Sequence, residues 1–405
     1  CYPFVEDMEA GVDFKEAASH IDSNGVALLN AAAKNYLHTV VVCDPYDYDR
    51  VLCDLAAGAI PEDERRYFMY KAFSYTASYD ALVAQYLSHE LAIPFPKMYT
   101  VTYEKTHDMR YGENPHQRAA VYHEPFLKEG SLARARQLAG GQTTYNNIND
   151  ANTALELVKE FEEPTVVSVK HCAVSSVGTG ESAYEAFVKA YETDPHCMKG
   201  CILAVNGIVD ARLAEKLRSV EVELVAAVGF TPEAMDFLRF RKDLILFEMP
   251  DIRSKVQFST FDMKKVYGGL LVQSYDTELY RNIKCVTERA PTDGERKALE
   301  FNYRIVKHAR SSAIVIGEED VTRGIGTGQT LREKAVELAV YQAGDCVGSV
   351  MASESAIVSP SCVDLAAEAG ITAIIQSGEA SEEVVAACNK HEIAMLCTDM
   401  RHFKN

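Results

Sequence analysis

The densest group of polar side chains lies in residues 109–117, which read Met-Arg-Tyr-Gly-Glu-Asn-Pro-His-Gln. The segment has neither helical nor strand periodicity, which predicts a loop. A guanidinium group binds an oxyanion through two parallel donors, so Arg110 beside Tyr111 suits a phosphate. A polar connector between two domains would have the same composition, and composition alone leaves both interpretations open.

A second candidate is the pair Lys170-His171, at the end of the strand predicted over 165–170. Ligands of α/β proteins collect at the carboxyl ends of strands. A cation beside a histidine disfavours the imidazolium form, which leaves a neutral base near neutral pH. A Lys-His pair on an ordinary sheet edge would look the same, so a catalytic pair and a surface pair remain alternatives.

Two further segments could line a site. Residues 324–329 read Gly-Ile-Gly-Thr-Gly-Gln before a predicted helix. Their backbone amides could approach a ligand, although a tight turn would also use glycine, and the spacing is not that of a dinucleotide-binding loop. The C-terminal residues 400–405 read Met-Arg-His-Phe-Lys-Asn and would either fray or fold into a site.

Composition excludes several classes of protein. The length of 405 residues predicts two or three domains. With 59 acidic and 41 basic residues the net charge is −18, which disfavours a nucleic-acid partner. We find no apolar run of about 18 residues and no signal peptide, so we expect no membrane span and a cytoplasmic protein.

Cysteine usage agrees with a reducing compartment, because eleven cysteines are too dilute for a disulfide scaffold and the odd number leaves one unpaired. His196, Cys197 and Cys201 come nearest to a metal site. They lack a second pair of ligands at metal-binding spacing, so no metal is predicted.

The first hundred residues are predicted to be mostly helical. A short apolar strand is predicted over 39–43 and a long amphipathic helix over 61–91. Two prolines in three residues then end the helix, which predicts a domain boundary near 93–108.

Beyond that boundary helices alternate with apolar strands, which predicts an α/β fold with covered sheets. Asp150 is predicted to cap a helix over 151–161, and Thr292 to open a capping box. The tripeptide Val-Lys-His occurs at 169–171 and again at 306–308, which hints at two related halves.

The order of these motifs resembles the bifunctional AICAR transformylase/IMP cyclohydrolase family of purine biosynthesis, over essentially the whole chain. The motifs that carry the resemblance are Arg110-Tyr111-Gly112-x-Asn114-Pro115-His116-Gln117, Tyr145-Asn146-Asn147, Lys170-His171, Gly268-Gly269-Leu270-Leu271-Val272-Gln273, Gly324-x-Gly326-x-Gly328-Gln329, Gly370-Ile371-Thr372-Ala373-Ile374-Ile375-Gln376 and Met400-Arg401-His402-Phe403.

The resemblance implies an α/β fold with two cytidine-deaminase-like subdomains that lack zinc, placed at 101–285 and 286–405. Residues 1–100 would be a mostly helical remnant of a methylglyoxal-synthase-like cyclohydrolase domain with connecting helices. The implied reaction transfers a formyl group from 10-formyltetrahydrofolate to the amine of AICAR, without a catalytic metal. A homodimer with active sites at its interface is also implied.

The resemblance further assigns roles to residues. Lys170 and His171 match the catalytic pair, with His171 as the base that removes the amine proton. Ser312 stands where the family has an asparagine that donates to the oxyanion. The positions that match phosphate contacts are Arg110, Tyr111, Lys242 and Arg401. Those that match contacts to the base, the ribose or their surroundings are Asn147, Gly200, Glu223, Arg332 and Phe403. Those that match the cyclohydrolase site are Tyr2, Asp22 and Lys34.

Several positions depart from the family pattern, mostly on the folate side. Residues 353–359 lack the family's aromatics, which would stack on a pterin, and residues 172–176 lack its proline and glycine. Lys199-Gly200-Cys201 replaces Phe-Gly-Gly, and Asn405 replaces a histidine.

Two alternatives to a formyltransferase therefore stay open. One is a diverged homologue that binds an AICAR-like nucleotide but has lost or changed its formyl donor. The other is a non-enzymatic nucleotide-sensing subunit. Because the chain begins within the cyclohydrolase domain, we expect that it does not close the ring to IMP.

Overall fold

The computed structural model describes residues 1–255 and 261–405. The chain forms two compact units: the first comprises Cys1–His107 with Val121–Leu127, and the second comprises Asp108–Ala120 with Lys128–Asn405. In the described ranges no helix is long and apolar enough to cross a bilayer. Nor do three or more potential metal ligands come together in that part of the chain.

The first unit is built mainly from helices. They are α1 (Phe4–Glu9), α2 (Phe14–Ala17), α3 (Ser23–Lys34), α4 (Tyr48–Ala56) and α5 (Glu62–Glu90). The long helix predicted over 61–91 is confirmed as α5. The strand predicted over 39–43 is wrong, since these residues form neither helix nor strand. Val41 is instead buried against Ala33 of α3 and Ala72 of α5, where helices cover its apolar side chain.

Strands β1 (Glu104–Met109) and β2 (Ala119–His123) form a separate two-stranded sheet. The first large sheet lies in the second unit. Its elements are β3 (Arg136–Ala139), α6 (Tyr145–Val158), β4 (Thr165–Lys170), β5 (Ala173–Thr179), α7 (Ala183–Thr193), β6 (Ile202–Val209), α8 (Ala211–Leu217), β7 (Leu224–Phe230), α9 (Pro232–Leu238) and β8 (Ile245–Glu248). The strand order is β3-β8-β7-β6-β4-β5, with β6, β7 and β8 mutually parallel and the other neighbours antiparallel.

An antiparallel hairpin of β9 (Phe261–Val266) and β10 (Gly269–Ser274) precedes the second large sheet. The elements of that sheet are β11 (Ile283–Cys285), α10 (Asp293–His308), β12 (Ile314–Gly317), β13 (Thr322–Gly326), α11 (Arg332–Ala343), β14 (Val350–Ser353), α12 (Pro360–Glu368), β15 (Ala373–Ser377), α13 (Glu382–Lys390) and β16 (Ala394–Thr398). The order is β11-β16-β15-β14-β12-β13.

The two large sheets have the same topology. Their strand orders correspond one to one, and the parallel and antiparallel pairs fall at the same places. The repeated tripeptide does not mark this duplication, because residues 169–171 span the end of β4 and its turn whereas residues 306–308 end α10. The two halves are related by their topology, but the two Val-Lys-His tripeptides lie at positions that do not correspond.

The second unit is layered, and both faces of each large sheet are covered, as predicted. Helices α7, α8 and α9 cover the outer face of the first sheet, and α11, α12 and α13 cover that of the second. Helices α6 and α10 lie between the sheets in one shared apolar core. The edge strands β5 and β13 meet through an antiparallel bridge from Gly178 to Val321. The Val177 N–H also donates to the Thr322 hydroxyl at 3.0 Å.

The start of α6 differs from the prediction. The helix begins at Tyr145, where Thr144 and Asn147 form a reciprocal capping box. The prediction that Asp150 caps this helix is therefore wrong, because Asp150 lies in its second turn. The capping box predicted at Thr292 is confirmed at the start of α10.

Candidate functional site

The predicted Lys-His pair lies in a tight turn between β4 and β5. Lys170 is the last residue of β4 and pairs with Ala173, so that His171 and Cys172 form a two-residue hairpin loop. Both have left-handed backbone conformations, with φ of 55° and 57°. Such loops favour Gly, which has no Cβ atom, and Asn, whose short amide side chain tolerates positive φ. A histidine and a cysteine here therefore need support from another group.

The Asp150 carboxylate supplies that support. It is 8% exposed. One oxygen accepts from the His171 N–H at 2.9 Å and the other from the Cys172 N–H at 2.6 Å. The Cys172 thiol donates to the same carboxylate at 3.2 Å. A single carboxylate on α6 thus fixes the backbone that carries His171.

The Cys172 thiol stays protonated beside this carboxylate. Burial raises the pKa of Cys172, and the hydrogen bond to Asp150 raises it further, to about 11. The Arg310 guanidinium acts in the opposite direction on the same pKa. Because the thiolate is the nucleophilic form, this cysteine is poorly reactive at neutral pH.

Three other predicted residues lie beside Lys170 or beside one another. Lys170 Nζ donates to the Lys199 carbonyl at 2.7 Å. A Cβ atom on Gly200 would lie 3.5 Å from Lys170 Nζ and 3.7 Å from Glu223 Oε1. The Asn147 amide donates to Glu223 Oε2 at 2.9 Å. The structure therefore brings Asn147, Gly200 and Glu223 into one cluster with Lys170.

The polar loop that carries Arg110 lies near the start of α6. The Gly112 N–H donates to the Gln117 carbonyl at 2.9 Å, which closes the loop. The Asn146 amide donates to the Glu113 carbonyl at 3.5 Å. Arg110 is exposed and Tyr111 is half-buried. The guanidinium is thus accessible to an anion near the helix that carries Asn147.

Lys242 is exposed on the segment between α9 and β8. Within the described residues no hydrogen bond or ion pair joins it to the turn. Its predicted phosphate contact stays a prediction.

Ser312 lies two residues before β12. Its N–H donates to the Gln329 carbonyl at 3.1 Å, and the Gln329 N–H donates to the Ser312 carbonyl at 3.3 Å. These bonds join Ser312 to the glycine-rich segment. Its hydroxyl has no hydrogen-bond partner among the described residues, which leaves a donor available to a ligand.

The glycine-rich segment has two structural roles. Gly324 and Gly326 lie in β13, where a Cβ atom would overlap the Ala339 or Ala335 carbonyl of α11. Gly328 has a φ of 67°, and its N–H donates to the Arg310 carbonyl at 2.8 Å. The first two glycines therefore allow close packing of helix on strand, and the third forms a turn.

Arg332 is held in a buried ion pair. Its guanidinium donates to Glu354 at 2.7 and 3.2 Å and to the Ser353 hydroxyl at 2.7 Å. Glu354 is fully buried and also accepts from the Ala313 N–H at 3.1 Å. This arrangement fixes the residue that follows Ser312. A contact from Arg332 to substrate stays a prediction.

The C-terminal residues are folded, so the frayed alternative is wrong. His402 is buried, with Nδ1 2.6 Å from Asp276 Oδ2 and Nε2 2.8 Å from the Leu279 carbonyl. Lys404 donates to Glu156 of α6 at 2.6 Å. The Arg401 guanidinium lies 4.4 Å from the centre of the Phe403 ring, which is 49% exposed.

Residues from both sheet-containing halves of the second unit lie near the Lys-His turn. Because β5 and β13 are antiparallel, the C-terminal end of β13 lies beside the start of β5. Arg310, two residues before Ser312, is close enough to influence Cys172. Neither Arg310 nor the turn-binding role of Asp150 is predicted by the sequence. Local sequence patterns carry no signal for either role, because both depend on contacts between elements that are far apart in the sequence.

The residues predicted for a cyclohydrolase site lie in the first unit. Asp22 caps α3 by accepting from the Gly25 N–H at 2.7 Å, and its own N–H donates to the Tyr79 hydroxyl at 2.8 Å. Lys34 is the last residue of α3, and Tyr2 is 54% exposed. Their role stays a prediction.

A fixed Lys-His turn, with accessible cations in the same α/β unit, is typical of an enzyme that acts on a small anionic molecule. The family model described as AICARFT/IMPCHase bienzyme matches residues 32–342. The bifunctional purine biosynthesis proteins PurH of Acetivibrio thermocellus and Ruminiclostridium cellulolyticum are each 43% identical to the chain over 412 residues. The corresponding protein of Halalkalibacterium halodurans is 43% identical over 411 residues.

Each of these alignments covers the whole chain and 80% of the relative. The chain belongs to the AICARFT/IMPCHase bienzyme family. The resemblance seen in the ordered motifs is confirmed.

Proposed function

We propose that the chain is the AICAR formyltransferase of purine biosynthesis and that 10-formyltetrahydrofolate is its formyl donor. Family membership supports the reaction class. The single observation that carries the residue assignment is the His171 turn, fixed by Asp150 and flanked by Lys170.

The amine of AICAR is conjugated to an electron-poor ring and attacks poorly unless it loses a proton. We assign this proton to His171 as general base, which is typically worth about 10²–10⁴-fold in rate. The amine nitrogen bonds to the formyl carbon, and the bond from that carbon to the folate nitrogen breaks. A proton passes to the departing nitrogen, and we assign its delivery to Lys170. The products are formyl-AICAR and tetrahydrofolate.

The tetrahedral intermediate carries an oxyanion that needs a hydrogen-bond donor. The free hydroxyl of Ser312 supports this role, in place of the family's asparagine. A serine hydroxyl is shorter and less fixed than an amide, so we propose a weaker contribution from this position.

Substrate binding would use exposed cations for the phosphate and the Asn147–Glu223 cluster for the rest of the nucleotide. The proposed phosphate contacts are Arg110, Tyr111, Lys242 and Arg401. The proposed contacts to base, ribose or surroundings are Asn147, Gly200, Glu223, Arg332 and Phe403. A few local cations can hold one monophosphate despite a net charge of −18, since that charge repels mainly polyanions.

The proposal is tested by following tetrahydrofolate formation from AICAR and 10-formyltetrahydrofolate. We expect His171→Ala to lower kcat by about 100-fold or more, with a smaller change in KM for AICAR. Lys170→Ala should also lower kcat. His89→Ala, on α5 of the first unit, is the control and should match the wild type. Absence of turnover in the wild type at saturating substrates would overturn the proposal.

The second candidate is a diverged homologue without a formyl donor. The observation that favours it is residues 353–359, which hold no aromatic side chain and in which Val358 is 78% exposed. Calorimetric titration separates the two candidates. AICAR would bind in both cases, whereas a folate would bind only to the formyltransferase.

We further propose a homodimer whose active sites lie at its interface, located in the cytoplasm. The β9–β10 hairpin exposes Tyr267, Leu270 and Leu271, and a second copy would cover this apolar surface. All cysteines in the described ranges are free thiols, in keeping with a reducing compartment. Sedimentation of the wild type against Leu271→Asp tests the dimer, and an unchanged monomer in both would contradict it.

A further inference from the structure

The Asp150 carboxylate has no evident task on its own helix. The start of α6 is capped by Thr144 and Asn147, so Asp150 is not needed there. In the described ranges no Lys, Arg or His side chain forms an ion pair with it. Both of its oxygens instead accept from the backbone of residues 171 and 172. A nearly buried carboxylate needs hydrogen-bond partners, and all the described hydrogen bonds of Asp150 are to this one turn. We therefore infer that its structural role is to hold the turn.

We propose that Asp150 is a positioning residue for formyl transfer, which holds the His171 imidazole in its reactive orientation by fixing the left-handed turn. This inference rests on the proposed function. The direction of a side chain depends on φ and ψ of its own residue, so a turn that relaxes to negative φ would turn the imidazole away. Small misplacements of a catalytic group cost large factors in rate.

The residue types make the turn dependent on this carboxylate. Asn or Gly would adopt positive φ readily, but His171 is required as the base and Cys172 also carries a side chain. Two adjacent N–H groups point the same way in such a turn, and the two oxygens of one carboxylate accept one each. A neutral amide has one acceptor oxygen, and a methyl group has none.

The test compares Asp150→Asn and Asp150→Ala with a matched control. The control is Asp210→Asn, which removes a carboxylate that accepts from the Leu213 N–H at 2.8 Å at the start of α8. We measure kcat and KM for AICAR, together with hydrogen exchange of the amides of residues 171 and 172.

We expect Asp150→Ala to lower kcat by about 100-fold, the scale of a misplaced catalytic group, with less than about a threefold change in KM. The two amides should lose protection against exchange. Asp150→Asn should be intermediate, and Asp210→Asn should leave kcat and both amides unchanged. An Asp150→Ala variant with wild-type kcat would overturn the inference.

A rescue variant separates positioning from general destabilisation. In the Asp150→Ala background, Cys172→Gly should restore kcat about tenfold, because glycine adopts positive φ without a steric penalty. Failure of this rescue, with protection of the amides unchanged in Asp150→Ala, would also overturn the inference. If the wild type shows no formyl transfer, the proposed function fails. The exchange measurement then still decides whether Asp150 fixes the turn.

Discussion

A second Val-Lys-His tripeptide shows that the same residue types can serve structure instead of chemistry. Lys307 and His308 of α10 contact Glu160 at 2.8 and 2.9 Å, and all three are mostly buried. Burial acts to raise the pKa of Glu160, but the hydrogen bonds and charges of His308 and Lys307 outweigh it and hold the pKa at about 2. Burial also lowers the pKa of His308. This pair joins α10 to the segment after α6.

The Glu160 cluster predicts a pH-dependent loss of stability. A carboxyl with a lowered folded pKa stabilises fully above its unfolded value of about 4.5, and this contribution is lost as pH falls toward about 2. The lowered pKa of His308 also makes the protein less stable as pH falls, because protonation below about 6.5 favours the unfolded state.

Glu160→Gln should destabilise the second unit by about 3 kcal/mol at pH 7, because it leaves Lys307 buried without its carboxylate. Urea unfolding at pH 7, 5 and 3 should also show a smaller loss between pH 5 and 3 than in the wild type. Glu162→Gln is the control, since that side chain is 78% exposed. An equal pH dependence in Glu160→Gln and wild type would contradict the assignment.

In both halves of the second unit, a glycine on an edge strand allows a helix to pack closely against that strand. Gly326 lets β13 approach α11, and Gly178 lets β5 approach α7, where a Cβ atom would overlap the Ala186 carbonyl. Each glycine lies on an edge strand beside the helix that follows it. The glycine-rich segment is therefore needed for this packing whether or not its third glycine approaches a ligand.

Gly326→Ala should destabilise the fold by about 1–3 kcal/mol, because the overlapping atom belongs to helix backbone and cannot rotate away. Gly141→Ala is the matched control, since a Cβ atom there has nothing within 4 Å. Thermal unfolding of both variants gives the comparison. Equal melting temperatures would show that α11 shifts to accept the added atom.

The whole second unit depends on one central helical layer. Leu299 of α10 is fully buried in the core that also includes Val167 of the first sheet and Val315 of the second. The core of each large sheet is therefore incomplete without the helical layer that the two sheets share. We expect the two halves to unfold together.

Leu299→Ala should destabilise the unit by about 2–5 kcal/mol. Hydrogen exchange should quicken in β4 and β12 alike, although the substitution lies in one half. Leu338→Ala on α11 is the control, with a side chain that is 39% exposed. Faster exchange confined to β12 would show that the halves unfold separately.

The sequence predicted features whose signals are local. The long helix α5 and the capping box at Thr292 follow from residues a few positions apart, and the structure has both. The prediction of Asp150 as a helix cap failed, because Thr144 offered an equivalent signal six residues earlier. The pairing of Asp150 with residues 171 and 172 depends on how α6 packs on the sheet, which no local pattern encodes. The shared topology of the two sheets is equally non-local.

The contact between β5 and β13 also keeps these two edge strands from pairing with strands of other chains. An edge strand presents unpaired N–H and C=O groups that can recruit a strand from another copy. Here the two inner edges face each other through the bridge from Gly178 to Val321. The opposite edges are β3 and β11, which have four and three residues. Strands this short are poor templates, so the contact that unites the halves also limits edge-to-edge aggregation.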